Sequence, residues 1–303
     1  MATATANQVK TLAVVGSGTM GSGIAQIAAS AGFKVIMNDV ETSFLERAVK
    51  TIQGSLEKFV QKGKLSEEDL KATLDRLTHS VELDQVAQAD LVIEAVTERI
   101  EVKNELFARL DALCPAHTLL ATNTSSLSVT EMARATNRPD RVVGMHFFNP
   151  PALMKLVEVV RTPLTSEESF KTAWEVALKL GKSPVEARDT PGFLFNRLII
   201  PYLNEAMWAL YEGVGSVEDL DAAMKLGGNM PIGPLSLLDL IGIDVQLHAC
   251  EGLLAELGNP KFEPCPLNRA MVRAGYLGRK AGRGFYDYSS DPPRGIDLSV
   301  FRR

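Results

Sequence analysis

The sequence predicts an α/β protein: a Rossmann-like doubly wound sheet with a helical-hairpin insertion, followed by an all-α C-terminal domain. Three observations carry this expectation. The first half alternates short Val/Ile/Leu-rich runs with longer amphipathic stretches, the βαβ rhythm of a sheet covered on both faces. A glycine-rich segment, G-S-G-T-M-G (16–21), stands at the first strand-to-helix junction. After S-P-V-E-A-R-D (183–189), T-P-G breaks the strand pattern and helical periodicity dominates.

The strands follow in order. T-L-A-V-V-G (11–16), K-V-I-M-N-D (34–39), A-D-L-V-I-E-A-V (89–96), T-L-L-A-T-N (118–123), R-V-V-G-M-H-F (141–147) and K-L-V-E-V-V (155–160) are too continuously apolar for a sheet with one wet face. Between the second and third, residues 42–77 exceed what a βαβ crossover needs. Leu45, Ala48, Val49, Ile52, Leu56, Phe59 and Val60 recur at helical spacing, K-G-K turns the chain, and Ser66 with acids behind it starts a new helix. This predicts a projecting helical hairpin. The long apolar stretch F-L-F-N-R-L-I-I-P-Y-L-N-E-A-M-W-A-L predicts helices buried on several sides, including against a second subunit. The expected division is 1–188 for the nucleotide-binding domain and 189–303 for a helical dimerisation domain.

Composition narrows the function classes. The chain has 303 residues, 46% hydrophobic and 23% charged, ordinary for a globular protein. Its net charge of −5 argues against a nucleic-acid partner. Three cysteines without metal-ligand spacing point to a reduced, cytoplasmic protein with no bound metal. The opening M-A-T-A-T-A-N-Q-V-K lacks the basic start and apolar run of a signal peptide. Phe193 to Leu210 is interrupted by polar residues and Pro201, so no membrane span is expected.

G-x-G-x-x-G alone is weak; its context makes it strong. It closes a strand and opens a helix: Gly16 permits the turn, Gly18 the close approach of a pyrophosphate, Gly21 the packing of helix on strand. The loop and helix start at Thr19 and Met20 then present free N–H groups to an anion. Asp39, at the end of the next strand, would accept hydrogen bonds from the ribose hydroxyls and repel a 2′-phosphate. V-E-T-S after it holds no cation to offset that repulsion, so the cofactor expected is NAD rather than NADP.

If 141–147 and 155–160 form an antiparallel hairpin centred on Ala152, His146 and Glu158 are equidistant from its centre and face each other. Opposed residues on one face have Cβ atoms roughly 4.5–5.5 Å apart, within hydrogen-bonding reach for these side chains. The pair is either a satisfied core contact or a general acid/base with its orienting carboxylate. The other histidines suit the second role less well: His79 lies on an edge strand, His117 in a loop and His248 in the helical part.

Six segments in order, G-S-G-T-M-G, A-T-N-T-S-S, H-F-F-N-P-P-A-L-M-K-L-V-E-V, D-T-P-G-F-L-F-N-R, M-P-I-G-P-L-S-L-L-D-L-I-G-I-D and K-A-G-R-G-F-Y-D-Y, resemble those of the L-3-hydroxyacyl-CoA dehydrogenases, in particular the short monofunctional kind acting on 3-hydroxybutyryl-CoA. The resemblance runs from roughly residue 10 to residue 288. It implies that His146 is the catalytic acid/base and Glu158 its partner, with Ser125 and Asn196 contacting the reacting part of the substrate. It adds Glu98, Lys103 and Asn149 to the NAD site. Ser55 and Lys62, two helical turns apart and so on one face, become CoA contacts, with Lys58 and Lys64 adding positive field. It further implies an acyl-CoA substrate and a homodimer. Two alternatives fit the sequence less well. A 6-phosphogluconate-type β-hydroxyacid dehydrogenase would place a catalytic lysine on the helix after Thr190, where none occurs through Leu210. An NAD-binding structural protein would have no need to keep His146, Ser125, Glu158 and Asn196 together.

Overall fold

The computed structural model describes residues 9–301. The chain forms two compact units, one ending at Phe193 and the other beginning at Leu194.

The first unit is built on one eight-stranded sheet. In chain order its elements are β1 (Thr11–Val15), α1 (Thr19–Ser30), β2 (Lys34–Asn38), α2 (Thr42–Gln61), α3 (Glu67–Asp75), β3 (Leu77–Ser80), β4 (Leu91–Glu94), α4 (Ile100–Leu113), β5 (Leu119–Thr122), α5 (Val129–Arg134), β6 (Val142–Phe147), β7 (Leu156–Arg161), α6 (Glu167–Lys179) and β8 (Ser183–Arg188). The strand order is β3-β2-β1-β4-β5-β6-β7-β8. All neighbours are parallel except β6 and β7, which form the antiparallel hairpin. Strand order therefore reverses between β1 and β4, the switch point where doubly wound folds open a crevice at the carboxyl ends of the strands.

The apolar runs are explained by two cores. Leu12, Val14, Val35, Ile93, Val143 and Val159 face α1, α2 and α6, while Ala13, Val15, Val92, Leu120, Val142 and Val160 face α4 and α5. Successive side chains alternate faces, so both sets in one run must be apolar. The projecting hairpin is α2 and α3. Ser66 caps α3 by accepting from the Asp69 N–H, and Glu67, Glu68 and Asp69 sit in the first turn, where the helix dipole favours them.

The units part after Phe193 rather than at Asp189. The Asp189 carboxylate accepts from the backbone N–H groups of Val129 and Thr130 at the start of α5, and Phe193 is buried in the core on that face. Those contacts hold 189–193 to the first unit.

In the same unit, Asp111 is buried and accepts from Asn137 N–H, Asn137 Nδ2 and Arg138 Nε. Burial opposes its ionisation, but these donors outweigh it and hold the carboxyl below its usual range. A depressed folded value means stability that is present above the unfolded pKa of about 3.9 and is lost as pH falls through the folded one. Asp111→Asn should therefore cost about 2 kcal/mol near neutrality, the scale of hydrogen bonds to a charged group. The melting-temperature gap from wild type should shrink in strong acid; a gap independent of pH would contradict the assignment.

The second unit contains α7 (Phe195–Tyr211), α8 (Val217–Leu226), α9 (Pro234–Ile241), α10 (Ile243–Leu257) and α11 (Pro266–Arg273), with one short antiparallel pair, Tyr286–Asp287 and Arg294–Gly295. Leu203, Met207, Leu235, Leu238, Met271 and Phe285 are among its buried core. Two carboxylates are buried within it. Asp221 accepts from the N–H groups of Leu235 and Ser236, capping α9, and Asp239 accepts from those of Phe285 and Tyr286. The segments 230–244 and 280–288 thus meet around Asp221 and Asp239. Burial keeps the thiols of Cys114, Cys250 and Cys265 protonated, at about 11, about 12 and about 11. Among the described residues, no helix is long and apolar enough to cross a membrane, and no cluster of His, Cys, Asp or Glu could hold a metal ion.

Candidate active site

The glycine loop has the geometry its spacing requires. Gly16 has φ +97°, and a Cβ there would lie 2.5 Å from the Ala95 carbonyl oxygen. A Cβ on Gly21 would lie 1.8 Å from the Gly16 carbonyl oxygen, so helix and loop can touch only without side chains. α1 begins after Gly18 with no side-chain cap and no acid in its first turn. Its free N–H groups and positive dipole end are open to an anion.

That helix start forms one wall of a cavity of about 780 Å³, also lined by Gly16, Gly18, Thr19, Asp39, Ser55 and Asn149. A cavity of this size suits a dinucleotide-scale ligand. Asp39 accepts from Ser17 N–H at 2.7 Å and Ser17 Oγ at 2.6 Å, which fixes it beside the loop. Met20 packs behind the loop against the core. Arg47 also reaches the cavity, from α2 rather than from the V-E-T-S segment next to Asp39. The donors, the uncapped helix and the acid fit an NAD molecule lying across the switch point. Ser55 reaches the cavity from α2, whereas Lys62 is exposed at the end of that helix.

The hairpin register pairs His146 with Glu158. Their side chains meet at 2.6 Å, His146 Nδ1 to Glu158 Oε2. Glu158 is fully buried and His146 is 7% exposed. Nδ1 is thereby committed to Glu158, which leaves Nε2 as the nitrogen that can exchange a proton with a substrate. Phe148 and Phe193 flank the imidazole with ring centroids at 4.5 and 5.9 Å, restricting its rotation. The end of β6 is tied to the loop that follows β5 by the Phe147 N–H, which donates to Asn123 Oδ1.

Glu98, Lys103 and Ser125 form a second group at the ends of β4 and β5. Lys103 is buried and contacts Glu98 Oε2 at 3.2 Å, and Glu98 Oε1 accepts from the Ser125 N–H at 3.0 Å. Burial opposes charge on Glu98, yet Lys103, the Thr124 hydroxyl and the Ser125 N–H together lower its pKa. Sequence reading did not single out Glu94, Thr122 or Thr124, which complete this network. The signal was present in Glu94, an acid within the apolar run L-V-I-E-A-V. Asn196 belongs to the helical unit, in the first turn of α7 and half-buried.

Comparison with known proteins agrees with this arrangement. Residues 11–190 match the family model described as 3-hydroxyacyl-CoA dehydrogenase, NAD binding domain, and residues 192–288 match 3-hydroxyacyl-CoA dehydrogenase, C-terminal domain. The chain is 46% identical over 278 residues to a 3-hydroxybutyryl-CoA dehydrogenase of Clostridioides difficile, covering 92% of this chain and 99% of that protein. It is 45% identical over 285 residues to one from Bradyrhizobium diazoefficiens, covering 94% and 97%. Its fold is similar to the crystal structure of (S)-3-hydroxybutyryl-CoA dehydrogenase from Ralstonia eutropha, with a TM-score of 0.90, 43% identity, and coverage of 93% of this chain and 100% of that one.

Proposed function

The chain belongs to the 3-hydroxyacyl-CoA dehydrogenase family, and from that premise we propose that it oxidises short-chain (S)-3-hydroxyacyl-CoA, 3-hydroxybutyryl-CoA above all, to the 3-oxoacyl-CoA with NAD, reversibly. The observation that carries the reading is the His146–Glu158 contact at 2.6 Å in a unit that also holds the dinucleotide cavity. NAD supplies the hydride acceptor. The residues of the chain do the rest.

His146 Nε2 takes the hydroxyl proton as the carbonyl forms, and returns it in the reverse direction. Glu158 holds the ring by Nδ1 and stabilises the imidazolium that results. Ser125 binds the substrate's 3-oxygen, and Asn196 contributes a second contact to the reacting part. Asp39 selects the ribose, while Glu98, Lys103 and Asn149 hold the other end of the cofactor. Ser55 and Lys62 bind CoA. We assign the protein to the cytoplasm as a homodimer formed through the helical unit. Exposed Leu198, Leu226, Leu240 and Val245 support that assembly.

Acetoacetyl-CoA reduction followed by loss of NADH absorbance tests the activity directly; no turnover with that substrate or its longer homologues would refute it. Asp39→Ala should weaken NAD and relax discrimination against NADP. It removes the carboxylate that repels a 2′-phosphate, worth roughly tenfold or more in the ratio of kcat/KM values. An unchanged ratio would move the ribose site elsewhere.

A further inference from the structure

Glu94 ends β4 with its side chain wholly excluded from water. A carboxylate so placed has lost its hydration and needs donors from the protein. It has three. Oε1 accepts from Val96 N–H at 2.7 Å and from Lys103 Nζ at 2.5 Å, and Oε2 accepts from Thr122 Oγ1 at 2.6 Å.

Each donor leads to a different part of the site. The Val96 contact folds the chain back after β4, and Ala95, Val96 and Thr97 line the cavity with the Ala95 carbonyl pressed against Gly16. Thr122 accepts in turn from the Thr124 N–H at 3.1 Å, which starts the turn carrying Ser125. Lys103 shares its ammonium between Glu94 and Glu98, and Glu98 accepts from the Thr124 hydroxyl and the Ser125 N–H. The contacts close into a ring: Glu94, Lys103, Glu98, Thr124, Thr122 and back to Glu94. Two carboxylates share one ammonium in that ring.

A buried ion pair is a poor source of stability, because apolar residues of equal volume pack as well or better. What this ring does is tie two strand-end turns and one helix together at the carboxyl edge of the sheet. We propose that Glu94 is a positioning residue: acting through Lys103 and Thr122, it sets Glu98 and the Ser125 turn against the half of the cofactor that lies beyond the switch point. The inference rests on the reading of the cavity as an NAD site.

Glu94→Gln tests it with little change of shape. The amide oxygen can keep Val96 and Lys103, and the amide nitrogen can donate to Thr122, so the fold is kept while the charge that shares Lys103 with Glu98 is lost. NADH fluorescence titration should show affinity weakened roughly tenfold, the scale of one charge-assisted hydrogen bond. The KM for acetoacetyl-CoA should stay within about twofold while kcat falls about tenfold. Lys103→Met should weaken NADH similarly, and the double variant should be no worse than the poorer single one. Wild-type NADH affinity and kcat in Glu94→Gln, or additive losses in the double variant, would overturn the proposal. Should Glu94→Gln fail to fold, Thr122→Val breaks the other arm. Weakened NADH affinity or a lowered kcat supports the inference, and wild-type affinity and kinetics overturn it. If wild-type protein binds NADH through Asp39 and Glu94→Gln leaves that binding and turnover unchanged, only this inference falls. A wild-type protein that binds no NADH defeats the NAD reading and this inference together.

Discussion

His146→Gln lowers kcat by at least ~10²-fold, the usual scale of general acid/base catalysis, and leaves NADH binding intact. The imidazole touches Glu158 and two aromatic rings but does not line the cavity that carries Asp39 and the glycine loop. Its loss should therefore remove proton transfer without disturbing the cofactor. Glutamine is close to histidine in length and can still bond to Glu158, so the hairpin should persist. Steady-state reduction of acetoacetyl-CoA gives kcat, and NADH fluorescence titration gives affinity on the same sample. Near-wild-type turnover would remove His146 from the catalytic role.

Glu158→Gln is expected to lower kcat by about 10- to 10³-fold in protein that still folds. The carboxylate is fully buried, and on this reading it stabilises the imidazolium formed when His146 takes a proton. An amide keeps the volume and can still accept from Nδ1–H, but it brings no negative charge to offset that cation. The loss should therefore fall on kcat more than on the KM of either substrate. A melting temperature lowered by several degrees with kcat unchanged would mark the contact as a structural pair only. The two substitutions should also be non-additive, since each disables the same proton-transfer unit.

Much of the architecture was legible because each interior strand of the sheet needs apolar residues on both faces. The runs at 11–16, 34–39 and 141–147 follow the observed strands to within a residue, and the hairpin register follows from symmetry about Ala152. The glycine loop was equally legible, since Gly16 and Gly21 occupy positions where a Cβ would collide with backbone. Glu98 and Lys103 were different. On a helix start they resemble solvated charges, and only the resemblance drew attention to them. Lys103 is in fact buried, which its neighbours in sequence do not announce.

The sequence by itself determined the doubly wound sheet, the cofactor loop and the His146–Glu158 pairing. All three depend on short-range rules: side-chain alternation, turn sterics and hairpin register. Only the tertiary structure decided that Glu94, Thr122 and Thr124 join Lys103 and Glu98 in one ring, and that residues 189–193 stay with the sheet. The Thr122–Glu94 and Thr124–Glu98 contacts, and those of Asp189, join segments far apart in the chain, at the ends of adjacent parallel strands or across a core face. Parallel strands are linked by crossovers of variable length, so no local spacing encodes which side chains meet at their ends.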